Sequence, residues 1–159
     1  MNAILIFTTQ IFQDIFVENF SVWLAGALAV QNQNPILFAI ENFNHTSLGQ
    51  HNIDPKTVKV CVFILPSYND TMPNVLEYLE EIMSQKYFTA VKYQLITIKI
   101  INKNLPCNYD DIFTCPTKRF NKHLIDNQII IQRNKEGTMK RFFQTYNTRI
   151  NEIINKIIH

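Results

Sequence analysis

The densest group of reactive side chains in the chain runs from Asp111 to Phe120, DIFTCPTKRF, where a short strand meets a helix start. Thr114 and Thr117 supply hydroxyls, and Lys118 and Arg119 supply positive charge. A helix start also leaves backbone N–H groups free, so the combination suits a phosphate or a base edge. Pro-Thr ahead of a helix is equally an ordinary helix start, and this stretch alone does not choose between the two. Other reactive residues are less well placed. His45 and His51 share a polar loop without a third ligand at metal spacing. Asp110-Asp111 and Glu80-Glu81 are adjacent pairs that point apart, unlike convergent catalytic carboxylates. Ser67 follows a strand as a nucleophile would, but Pro66-Ser67-Tyr68 lacks the glycine-flanked elbow. With only three glycines in the chain, phosphate loops of the P-loop or GxGxxG type are excluded.

The elements that must position these groups follow from the hydrophobic pattern. Met1 to Thr8 is an apolar lead-in or short strand. A central helix is expected from about Gln10 to Gln31 or Asn34, ended by Pro35. From Phe20 to Val30 it has almost no polar face, which predicts burial all round. One side packs on a sheet; the other, with the small residues Ala25, Gly26 and Ala29, meets a second subunit or the core of a monomer. Ile36 to Phe43 resumes as a shorter helix, and Asn44 to Lys56 is a polar connector. Val58 to Leu65 reads as a buried strand, and Val75, Leu76, Leu79, Ile82 and Met83 recur at helical spacing after it. Val91 to Ile101 alternates as a strand, and Ile112 to Cys115 forms a short one, the two making a lid or hairpin. A short helix over Lys118–Asn127 and a long one over Glu136–Ile158 complete the chain.

At 159 residues, 47% hydrophobic, the chain suits a single globular domain, 1–159. Its mean hydropathy of −0.06 agrees. A net charge of +2 without basic runs argues against DNA or RNA as partner. Cys61, Cys107 and Cys115 have no CxxC spacing and cannot all pair, which favours a reducing compartment. The start has no basic region or small-residue cleavage site, and the apolar helix falls short of the ~20 residues that span a bilayer. A cytoplasmic protein without a membrane span is expected.

The order of these parts resembles the cyclic-dinucleotide receptor domain of STING, in its bacterial form. The resemblance rests on the helix with Leu24-Ala25-Gly26-Ala27-Leu28-Ala29-Val30, the strand ending Ile64-Leu65-Pro66, the segment Phe113-Thr114-Cys115-Pro116-Thr117 and the amphipathic terminal helix. It implies an α+β fold: a central mixed sheet, a long dimerising N-terminal helix, a β lid and a C-terminal helix. It also implies a non-enzymatic, homodimeric sensor in antiphage signalling, with no cofactor, a cyclic dinucleotide such as cyclic di-GMP as ligand, and a separate effector protein as partner. By position the ligand would lie near Gln31, Asn34 and Phe38, under Thr97 and Lys99, and against Thr114, Pro116 and Thr117. The chain departs from the family in having Ile36 where a base-stacking aromatic belongs and Thr97 and Lys99 where an arginine pair belongs, which implies altered ligand choice. The alternatives to a sensor are a structural or assembly subunit that binds a larger partner through its apolar helices, and a small hydrolase.

Overall fold

The computed structural model describes residues 1–68, 71–86, 88, 90–100, 113–114, 121–133 and 151–159. Five strands form one sheet: β1 (Ala3–Thr8), β2 (Asn34–Ala39), β3 (Val58–Ser67), β5 (Lys92–Ile100) and β7 (Ile129–Arg133). Their spatial order is β2-β1-β3-β5-β7, and every neighbouring pair is parallel. β1 and β3 are near-continuous apolar runs because a parallel sheet is covered on both faces. Alternate residues feed two cores. Ile4, Ile6, Val60, Val62, Ile64 and Ile96 face α1 (Ile15–Val30) and the terminal helix α5 (residues 151–158). Leu5, Phe7, Cys61, Phe63 and Leu95 face α3 (Leu76–Met83), α4 (Lys122–Asp126) and the segment around the short helix α2 (Ser47–Gln50). The layers are helix, sheet, helix.

On the second face an aromatic ladder crosses four strands. Phe38 stacks on Phe7 at 5.7 Å, Phe7 on Phe63 at 5.2 Å, and Phe63 on Tyr93 at 6.3 Å. Each buried aromatic contributes about 1.5–3 kcal/mol through lost water contact. The same burial pushes the Cys61 thiol well above its ordinary value. It also raises the Tyr93 phenol from 10.0 to about 12, with the neighbouring Cys61 as the smaller cause.

This architecture corrects the expected STING-like α+β fold with a mixed sheet. The difference lies in two strands the pattern did not reveal. Asn34–Ala39 is an edge strand where a resumed helix was expected, and Pro35 is tolerated there because an edge leaves one side unpaired. Ile129–Arg133 is the opposite edge, in a stretch given no element. The expected lid is corrected as well. β5 lies inside the main sheet between β3 and β7, and β6 (Phe113–Thr114) pairs instead with β4 (Met72–Pro73), antiparallel.

The central helix is shorter than its pattern and is not buried all round. It buries Phe16, Val17, Phe20, Leu24 and Leu28 on the sheet, while Ile15 and Val30 stand 70% and 81% exposed. Asp14 caps its start, its carboxylate accepting from the Phe16 N–H at 3.2 Å. Asn32, at φ 61°, ends it before Pro35 is reached. The Asn32 N–H donates to the Ala29 carbonyl and the Gln33 N–H to the Leu28 carbonyl, the two bonds of a Schellman ending. Asn52, at φ 54°, ends α2 in the same way. Among the described residues no helix is long and apolar enough to cross a membrane.

Candidate functional site

A doubly wound sheet has one crevice that topology creates. The chain runs from β1 outward to β2, then returns to place β3 on the other side of β1. The connections leave the carboxyl ends of β1 and β3 in opposite directions, and open α/β sheets take their ligands at this switch point.

The loop on the β1 side is Thr9-Gln10-Ile11-Phe12-Gln13, between the end of β1 and the cap of α1. It makes a small nest of donors. The Gln10 N–H is shared by both oxygens of the Glu41 carboxylate, at 3.0 Å each. The Ile11 N–H reaches the same carboxylate at 3.4 Å and the Thr9 hydroxyl at 3.1 Å. The Thr9 hydroxyl itself donates to Glu41. Glu41 belongs to the 3-10 turn Ile40–Asn42 that follows β2, so the anion comes from beside the neighbouring strand. The Asn42 side-chain amide donates to the Gln10 side-chain carbonyl at 3.4 Å and ties the turn to the loop. Thr9 is buried, whereas Glu41 is half-buried.

Among the described residues the donors on Glu41 are neutral, two backbone amides and one hydroxyl. Convergent N–H groups of this kind form an anion-binding concavity. The nest is separate from the helix start, because Asp14 already takes the Phe16 N–H at the first turn of α1. On the β3 side the chain leaves the sheet at Ser67 and Tyr68, and Tyr68 exchanges two 2.9 Å backbone hydrogen bonds with Thr71. Tyr68 is 5% exposed, and its hydroxyl has no hydrogen-bond partner among the described residues.

The residues singled out from sequence are dispersed over the fold. Gln31 caps the end of α1 and Asn34 opens β2, both at the amino-terminal edge of the sheet. Phe38 is on the edge strand with its ring against Phe7, Phe43 and His51. Thr97 is buried in β5 and donates to the Gln128 side-chain carbonyl at 2.7 Å. Lys99 lies opposite Ser67, near the carboxyl edge. Thr114 pairs with Met72 in the small sheet, and Pro116 and Thr117 lie outside the described residues. Of the described ones, Phe38 near the end of β2 and Lys99 near the end of β5 lie toward the carboxyl edge, which carries the crevice. Thr9, Gln10, Ile11 and Glu41 were not anticipated, because the helix pattern was carried back to Gln10 and absorbed the loop. The available signal was two threonines between an apolar strand and an aspartate helix cap.

Comparison with solved structures accords with this topology. The chain is similar to a short-chain flavodoxin associated with a non-canonical PDU bacterial microcompartment, with a TM-score of 0.58 at 12% identity over 99% of this chain and 97% of that one. It is similar to general stress protein 14 of Treponema denticola, determined in complex with FMN, with a TM-score of 0.52 at 9% identity over 99% of both chains. Oxidised flavodoxin 1 of Bacillus cereus gives a TM-score of 0.50 at 11% identity, over 86% of this chain and 88% of that one. No protein-family profile and no curated protein sequence matches the chain.

The fold is therefore flavodoxin-like, and the resemblance to the STING receptor domain is corrected. The cyclic-dinucleotide sensor and its antiphage role lose their scaffold. The expected absence of a cofactor is corrected too, since a flavin-bound protein is among the structures of this fold. The non-enzymatic expectation rested on the same resemblance and has no separate support.

Proposed function

We propose that the chain is a flavin-binding redox protein that holds a flavin phosphate, of the FMN type, at the crevice between the carboxyl ends of β1 and β3. The observation that carries this reading is the nest itself: the Thr9 hydroxyl and the Gln10 and Ile11 amides converge on one anion at the topological switch point. The Glu41 carboxylate acts there as a stand-in, its two oxygens taking the donors that two oxygens of a phosphate would take. The donor set fits the group, with hydroxyl and amides supplied without any glycine. Thr9, Gln10 and Ile11 would hold the phosphate, and Tyr68 and Thr71 border the crevice on the β3 side. The group, when bound, supplies electron and hydride transfer. The chain supplies anchoring donors and an apolar sheet beneath them that excludes water.

The test is a titration of flavin-free protein into FMN and, separately, into riboflavin, followed by flavin fluorescence. Saturable quenching of either flavin supports the reading. Fluorescence unchanged by a large excess of protein with both compounds would overturn it.

A further inference from the structure

The nest that recommends a phosphate ligand is also closed to one. Both oxygens of Glu41 are engaged, and they take three donors of the loop: one hydroxyl, one amide shared between two oxygens, and a second amide at 3.4 Å. A phosphate entering while the carboxylate stays would find these three donors taken and would place two like-charged groups in contact. Among the described residues no basic side chain donates to Glu41, so no ion-pair partner of the carboxylate offsets that repulsion there.

Glu41 is also placed to leave. It sits on a three-residue turn at the end of an edge strand and is half-buried, so rotation of its side chain carries the carboxylate into solvent. The donors stay behind. Thr9 is fixed at the end of β1, and the loop is anchored on its far side by the Asp14 cap. The Asn42 to Gln10 side-chain bond holds the turn near the loop without using any donor of the nest.

We infer that Glu41 is an internal competitor for the phosphate subsite, a carboxylate that must be displaced before a phosphorylated ligand binds and that sets the balance between phosphorylated and unphosphorylated flavins. This rests on the flavin-phosphate reading. Binding of FMN breaks the bonds to Glu41 and remakes them to the phosphate, so the phosphate adds little net affinity in the natural chain. Riboflavin leaves Glu41 in place and is indifferent to it. The residue thereby acts as a specificity determinant without contacting the flavin ring.

The experiment compares FMN and riboflavin affinities for the natural chain, Glu41→Gln and Glu41→Ala. Using the ratio of the two affinities cancels any change a variant makes to the ring's surroundings. The ratio is expected near one for the natural chain and about 10- to 100-fold higher in favour of FMN for Glu41→Ala, the worth of one or two charge-assisted bonds no longer contested. Glu41→Gln is expected between them, because its amide oxygen still accepts but carries no charge. Inorganic phosphate should raise the melting temperature of Glu41→Gln and not that of the natural chain. A third measurement needs no variant: the amide resonances of Gln10 and Ile11 should shift when FMN is added and stay put with riboflavin. A ratio that is the same in all three proteins, with FMN bound and the amide resonances unmoved, overturns the inference and the phosphate's place at the nest, while flavin binding itself stands. Neither flavin bound by any of the three overturns the reading and the inference together.

Discussion

The Gln10 amide and the Glu41 carboxylate meet across two loops, one N–H placed 3.0 Å from each of two oxygens. The contact joins the end of β1 to the turn that follows β2. Its loss reads out on stability as well as on binding. Thr9→Val removes a buried hydroxyl that donates to Glu41 and accepts from Ile11, leaving one donor and one acceptor short. The expected cost is about 1–3 kcal/mol, measured by urea unfolding. Glu41→Gln keeps an acceptor at a half-exposed position that water reaches, and it is expected to cost less than Thr9→Val.

Tyr93 gives a prediction with a defined pH window. Burial, and secondarily Cys61, raises its phenol from 10.0 to about 12 in the folded chain. The folded state therefore keeps the proton that the unfolded state releases. The associated stability is fully present below pH 10.0 and is lost as pH climbs through about 12. Tyr93→Phe, which cannot ionise, should lose stability less steeply across that interval. Parallel urea unfolding curves for the two proteins above pH 10.0 check it, and equal slopes would refute the assignment to this residue.

Gly26 tests the outward face of α1. It is exposed, and a Cβ added there meets nothing within 4 Å. Gly26→Ala should then stabilise the helix by about 0.5–1 kcal/mol, because alanine loses less backbone entropy on folding. Thermal unfolding with sedimentation velocity measures it. A destabilised protein with a smaller sedimentation coefficient would mean that a second copy covers this face.

How far sequence carried the fold can be traced residue by residue. Val58–Ser67 and Lys92–Ile100 announced themselves as strands because long apolar or alternating runs have few other interpretations. The helix Leu76–Met83 was marked by its periodic leucine and isoleucine residues. Asn34–Ala39 stayed hidden since Pro35 reads as a breaker, and only its place at the sheet edge removes the objection. Ile129–Arg133 was too short to separate from a connector. With both edge strands missing, a parallel sheet could not be recognised. The site was hidden for a different reason. Its donors are mostly backbone amides, which carry no residue signature, and its anion is contributed by Glu41, far along the chain from the loop it fills.

The all-parallel pairing has a consequence for how the chain reaches this state. No two neighbouring strands of the main sheet are joined by a hairpin: Ala3 lies beside Val58, and Ile96 beside Ile129. Each pairing must close a long loop before any ladder bond rewards it, and such topologies fold slowly, in milliseconds to seconds rather than microseconds. During that interval β1 and β3, both buried in the finished sheet, are exposed together as adhesive apolar segments. Refolding yield should therefore fall with protein concentration well before native stability is affected.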